Sequence, residues 1–293
     1  MKHLRITECA SGLIAYYDGR VPNYRYMPGP NWVDDGAISL GIASYVFINN
    51  FNALVYDTHV SVEHANFIRA DLERRGVKHI TVLLSHWHLD HVAGTETFAD
   101  CEIISNAKTS AHLKLRQAII EDGRYHGPPA IMPLILPNRI FEGEMHFQLG
   151  QMSLKFIEAN IHSDDATLVW RDEDRLLLAG DTMEDTVTYV VEPQNFDIHL
   201  RELDRILALG PEFIFPNHGS PDIINAGGYT KGLIKAQSQY IRMLKRCRNE
   251  ENLCKVPLKE LISGPLEMGW VNYFAPYEEV HVQNVARVLS LPN

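Results

Sequence analysis

Residues 85–94 read SHWHLDHVAG, at the end of the apolar, β-branched run HITVLLS over residues 79–85. Three histidines and an aspartate therefore fall between His86 and His91, directly after a segment with the character of a buried strand. Side chains two apart in an extended segment point the same way, so His86 and His88 can share one metal. Asp90 and His91 come where the chain bends toward a helix and can face a second point. Imidazole and carboxylate suit zinc and related divalent cations. A lone histidine is usually an ordinary surface or core residue. The H-x-H-x-D-H spacing in a strand-to-helix loop is far more specific.

The segments around the cluster set its place in a fold. Leu13–Tyr17, Ile38–Ile48 and Ala53–Tyr56 read as strands, with a turn at Asn49–Asn52. Ser61 suits a helix N-cap, with Glu63 in the first turn and Gly76 as the stop. Strand, helix, strand implies a crossover unit with helices covering a sheet. The cluster then sits at a strand's C-terminal end, where layered α/β folds bind ligands. Farther along, Thr95–Phe98 reads as helix, Glu102–Ile104 as a short strand, and a helix begins near Lys108. In the second half, strands are expected at Met152–Ile157, Ala166–Trp170, Arg175–Leu178 and Phe213–Phe215. Helices are expected at Asp197–Ala208, Tyr229–Arg246 and Tyr277–Leu289.

Two irregular stretches leave alternatives open. The loop from Asp18 to Gly36 carries Tyr24, Tyr26 and Trp32, which either overhang a site or pack the loop down. Residues 118–138 are either a lid over a pocket or an insertion packed on the surface. No linker divides the chain, so one domain over residues 1–293 is expected. A net charge of -10 makes nucleic acid an unlikely partner. The four cysteines form no C-x-x-C pair, and the start MKHLRITECASG has no apolar signal core. No apolar run reaches the ~18 residues of a membrane span. Reduced thiols, a cytoplasmic location and no membrane partner follow as expectations.

SHWHLDHVAG resembles the signature of the metallo-β-lactamase superfamily. That family's later stations are filled in order: EANIHSDDATLVW supplies His162, RLLLAGDTM supplies Asp181 and FIFPNHGS supplies His218. The resemblance spans roughly residues 38 to 220. It implies an α/β, four-layer αββα sandwich with two mixed β-sheets flanked by helices. It also implies that His86, His88 and His162 bind one metal, that Asp90, His91 and His218 bind the other, and that Asp181 reaches both. A filled aspartate station is similar to glyoxalase II, N-acyl-homoserine lactonases and ribonuclease Z rather than to exported β-lactamases. His88 stands where the family's iron-containing redox branch carries glutamate.

The implied chemistry is hydrolytic. Two divalent cations, zinc first with iron or manganese as alternatives, share a water and lower its pKa from 15.7 toward roughly 7. The resulting hydroxide attacks a small-molecule ester, lactone or thioester. Asp90 then has two roles, ligand and proton carrier. No organic cofactor is implied. Asp57, in VYDTH, either orients a ligating imidazole or caps the turn before the Ser61 helix. Ser85 and Ser163 adjoin ligands and either bond backbone or carboxylate or cap locally. Glu184 stands where the lactonases carry tyrosine, leaving Tyr189 or Tyr229 as substitutes. Alternatives are a phosphodiesterase of the same fold and a metal-containing small-molecule binding module; a β-lactamase is less favoured. His3, His64, His79, His112, His126, His146, His199 and His281 are expected to be structural or exposed. The oligomeric state is left open, a homodimer included.

Overall fold

The computed structural model describes residues 1–250 and 252–292. Its first sheet keeps chain order: β1 (Arg5–Ala10), β2 (Leu13–Asp18), β3 (Ile42–Asn49), β4 (Asn52–Tyr56), β5 (His79–Leu83), β6 (Glu102–Asn106) and β7 (Arg139–Phe141). The β1–β4 pairings are antiparallel; from β4 to β7 they are parallel. Parallel neighbours need crossovers. Helix α1 (Val62–Arg74) joins β4 to β5, the one-turn α2 (Leu89–Val92) follows β5, and α3 (Ala107–Glu121) follows β6. The second sheet contains β8 (Glu144–Leu149), β9 (Met152–Ile161), β10 (Ser163–Arg171), β11 (Leu176–Gly180) and β12 (Phe213–Pro216), in spatial order β12-β11-β10-β9-β8. Only β11 and β12 run parallel, across α4 (Phe196–Leu209). The chain ends in α5 (Pro221–Asn225), α6 (Gly232–Cys247), α7 (Leu258–Leu261), α8 (Ser263–Glu267) and α9 (Tyr277–Leu289).

Strand alternation sorts side chains into layers. Tyr45, Phe47, Leu54 and Tyr56 face the second sheet, where they join Phe156, Leu168 and Leu177 in one core. Val46, Val55 and Val82 face the other way and pack against Ala65, Ile68 and Leu72 of α1. α4 covers β9, and α6 packs on α4. The result is the expected sandwich of two mixed sheets between helices. Buried tyrosine hydroxyls stitch the sheets together: Tyr45 donates to Pro216 O at 2.7 Å and Tyr56 to Thr167 O at 2.5 Å. A buried phenol needs such an acceptor, because an unpaired one is costly.

Several boundaries move for local reasons. The strand expected from Ile38 starts at Ile42, because Val33–Ile38 forms a π-helical turn and Gly41 follows at φ 78°. A side chain at Gly41 would collide with the Tyr17 ring. The helix expected from Tyr229 starts at Gly232; Tyr229 instead pairs with Ile214. Thr95–Phe98 is a 3-10 turn. Helix α3 runs to Glu121, so the irregular stretch begins at Asp122. Strands β1, β7 and β8 had no counterpart in the sequence expectations. Ser61 caps α1, accepting from His64 N at 3.3 Å.

Candidate metal centre

All seven donors predicted from the sequence converge at one edge of the two sheets. His86 and His88 leave β5, and Asp90 and His91 stand on α2. His162 sits between β9 and β10, Asp181 follows β11, and His218 follows β12. Two groups form: His86, His88 and His162, and Asp90, His91, Asp181 and His218, each with its ligand atoms within 4.8 Å of one another. His86 Nε2 and His162 Nε2 each lie 2.9 Å from His88 Nδ1. Asp181 Oδ2 lies 3.0 Å from His91 Nε2, 3.5 Å from His218 Nε2 and 3.7 Å from His86 Nε2, so this carboxylate stands between the groups.

The backbone is shaped to aim these side chains. His162 and Asp57 adopt left-handed conformations at φ 69° and 68°. Such positions cost non-glycine residues of order 1–3 kcal/mol and cluster at functional sites. Gly180, at φ 56°, precedes Asp181; a Cβ there would come within 2.9 Å of the Tyr56 hydroxyl.

Each imidazole except His88 is held at its outward nitrogen. His91 Nδ1 lies 2.9 Å from Asp57 Oδ2, His86 Nδ1 2.9 Å from Ser85 Oγ, and His218 Nδ1 and His162 Nδ1 each 2.8 Å from the carbonyls of Gly41 and Tyr189. Such bonds fix the tautomer and leave Nε2 free to coordinate. Asp57 thus orients His91 rather than capping the following turn; its other oxygen accepts from Ser85 N at 2.7 Å, and Asn217 supports it at 2.6 Å. Ser163 donates to Asp165, which also accepts from Trp87 N. Asn217 and the carbonyls of Gly41 and Tyr189 were not foreseen. Backbone acceptors carry no residue-type signal, and Asn217 had only its place beside His218 as a clue.

The electrostatics favour the forms that bind cations. Burial, joined by neighbouring histidines, holds His86 and His88 well below the usual imidazole range. Burial also lowers His162. Burial works to raise Asp90 and Asp181, but His91 and His218 overcome it: Asp90 falls to about 2 and Asp181 well below the usual range. His91 and His218, despite burial, are pushed up by Asp181. One observation tests the fit to metal directly. Asp181 Oδ1 is buried and has no hydrogen-bond partner. A buried carboxylate oxygen without a donor is costly, and the other oxygen of the same carboxylate stands among imidazole nitrogens. The donor set fits divalent cations.

His88, Asp90, His162, Asp181 and His218 line a cavity of about 630 Å³. Trp32, Leu40, Trp87, Tyr125, Tyr189 and Val280 form much of its wall. Trp32 Nε1 donates to Pro129 O at 2.9 Å, so the loop after Asp18 and the stretch after Asp122 build this wall together. Tyr125 and His126 face the cavity, while Trp32 overhangs it. Tyr229 is bonded to Asp185 and Ser220 instead. Glu184 is buried, accepts from Tyr189 N at 2.7 Å and Tyr277 at 3.0 Å, and is raised by burial to about 7.

A two-sheet sandwich with these donors at its edge defines a layered α/β protein with a candidate metal centre. A family model described as the metallo-beta-lactamase superfamily matches residues 39–218, and the chain belongs to that superfamily. It is 25% identical over 169 residues to a beta-lactamase-like protein 2 homolog of Caenorhabditis elegans, covering 56% of this chain and 51% of the relative. It is 23% identical over 227 residues to the atrochrysone carboxyl ACP thioesterase AgnL7 of Paecilomyces divaricatus, covering 76% and 65%. The matched stretches thus span about half to two thirds of these relatives. A metallo-beta-lactamase from Pontibacter korlensis shares the fold at a TM-score of 0.62 and 12% identity, over 82% of this chain and 99% of that one. VMB-1 does so at 0.61 and 16%, over 83% and 98%.

Proposed function

We propose that the chain is a single-domain, dinuclear-metal hydrolase of small-molecule carbonyl esters, lactones or thioesters. The observation that carries this reading is the pair of donor groups sharing Asp181 on the floor of a largely apolar cavity. The thioesterase among the relatives places thioesters first in the panel to be tried. Zinc is the proposed metal, because mixed imidazole and carboxylate sets suit it. His86, His88 and His162 would hold one ion, Asp90, His91 and His218 the other, and Asp181 both. Bound there, the ions would supply acidified water near neutral pH and an electrophilic pull on a carbonyl oxygen.

The chain's own groups do the rest. Asp57, Ser85 and the Gly41 and Tyr189 carbonyls keep the imidazoles aimed inward. Trp32, Trp87 and Tyr189 exclude water and hold the apolar part of a substrate. Asp90 faces the cavity with its Oδ2 3.2 Å from His218 Nε2, a place that suits it to carry a proton to the leaving group. A cytoplasmic site of action belongs to the same proposal; no described helix is long and apolar enough to cross a membrane. The test is a panel of thioesters, lactones, esters, phosphodiesters and β-lactams on stripped and zinc-, manganese- or iron-reloaded protein. Metal-dependent turnover of an acyl substrate is expected. Turnover confined to phosphodiesters, or none, overturns the reading.

A further inference from the structure

One side of the cavity mouth is built unlike the rest. Arg287 of α9 lies over the Tyr189 ring, 4.3 Å from its centroid. It donates to Val190 O at 3.0 Å and to the Tyr189 hydroxyl. Tyr189 in turn stands 6.2 Å, ring to ring, from His162. One aromatic ring therefore separates this guanidinium from the metal centre. Arg116 of α3 lies over Trp87 at 4.1 Å and donates to His112 Nδ1 at 3.0 Å. Tyr125 packs on Trp87 at 5.3 Å; burial raises its phenol, and Arg116 and Arg287 oppose that rise. His126 packs on Tyr125 at 4.3 Å and also faces the cavity.

The acceptors matter more than the count of charges. Elsewhere in this acidic chain, Arg69, Arg75, Arg171 and Arg246 end on carboxylates, while Arg5, Arg20 and Arg175 donate to carbonyls away from the cavity lining. The hydrogen bonds of Arg287 and Arg116 end on two carbonyls, a phenol and an imidazole, all uncharged acceptors. The carboxylate behind His112 is Asp164, which the imidazole separates from Arg116. Two oriented guanidiniums thus keep their charge for something else, beside a largely apolar wall. Planar guanidinium matches carboxylate and phosphate oxygens in pairs.

Resting on the hydrolase reading above, we propose that the cavity selects acyl substrates bearing an oxyanion, carboxylate or phosphate, which Arg287 receives beside Tyr125 and which the charge of Arg116, stacked on Trp87 outside the lining, favours. The reacting carbonyl lies over the donor groups, and the apolar portion lies against Trp87, Tyr189 and Val280.

The experiment uses the full, zinc-loaded chain and two substrate pairs. One compares glutaryl with pentanoyl thioesters of N-acetylcysteamine, placing the charge on the acyl side. The other compares pentanoyl thioesters of pantetheine with and without its 4′-phosphate, placing it on the leaving side. Hydrogen bonds to a charged partner support at least about a 10-fold preference in kcat/KM for the anionic member of one pair. Which pair responds identifies the source of the oxyanion. Arg287→Met and Arg116→Met should each cut that preference several-fold, with Arg287→Lys retaining part of it. Melting curves certify folding. Binding of the uncleavable carboxamide analogues is read in parallel by calorimetry. Arginine-dependent binding of the anionic analogue without turnover sinks the hydrolase reading and sustains this one. Equal handling of charged and neutral members in both pairs, a preference unchanged in Arg287→Met, or no binding of either analogue overturns it.

Discussion

Asp181 carries the most at the scale of single residues. One of its oxygens lies near His91, His218 and His86, and the other has no protein partner. Asp181→Asn replaces a charge with a neutral amide that bridges two cations poorly. It should lower bound metal per chain, read by elemental analysis, and remove most acyl-hydrolase activity. Full metal content with full activity would show that Asp181 does not bridge. Asp57→Ala acts one bond farther out, releasing His91, Ser85 N and Asn217. Loss of such an orienting group should weaken metal affinity about 10–100-fold, measured by competition with a chelator. His199 gives a pH dependence of stability. Burial, then His162, lowers it to about 4. Folding therefore favours the neutral ring, and this contribution is complete above about 6.5 and lost as pH falls toward 4. His199→Leu should flatten that part of the melting temperature's pH profile; a profile of unchanged slope would discard the assignment.

Elements explain why the site is rigid. The segment after Asp181 is held from α6 and α9: Gln237 accepts from Thr188 N at 2.8 Å, and Asn284 accepts from Val190 N at 2.8 Å and donates to Thr188 O at 2.9 Å. That segment presents the Tyr189 carbonyl to His162. Asn284→Leu leaves a buried N–H and carbonyl unpaired, at about 1–3 kcal/mol. It should lower the melting temperature and loosen metal binding together; a lower melting temperature with unchanged metal affinity would separate the helix from the site. The donors were legible because side-chain chemistry at fixed spacing survives in a bare sequence. The supporting wall was not. Glu279, Gln283 and Arg287 recur every four residues on α9, which reads only as a polar helix face until the fold turns it toward the cavity. Strand β8 alternates Met145, Phe147 and Leu149 with polar residues, a period-two signal kept short by its six residues. Edge strand β1 exposes Ile6 and buries only Cys9, so it shows almost no pattern at all.

For the whole molecule, metal bound at this centre would share one equilibrium with folding. A ligand that binds only the folded chain adds RT ln(1 + [L]/Kd), about 4 kcal/mol at a thousand-fold excess over Kd. At roughly 2–4 °C per kcal/mol, stripping the ions should lower the melting temperature by about 10 °C, and zinc should restore it. A melting temperature indifferent to chelator would argue that the donors do not take metal in the folded state. Strand and helix periods made a layered α/β fold legible, and the two-sheet sandwich followed from the resemblance to the metallo-β-lactamase superfamily. The turn at Val33–Ile38 was hidden, since Ile38 continues the apolar run of β3 in sequence but not in space.

The donors run from His86 on the first sheet to His218 at the end of the second sheet's last strand. Neither group is complete within the first sheet, because one needs His162 and the other Asp181 and His218. A chain emerging during synthesis therefore has no finished binding group until the second sheet has formed against the first. Metal capture at this centre would then be a late timestamp on assembly. It falls after most of the chain has been made, and a stalled or truncated nascent chain carries only an open fragment of the centre.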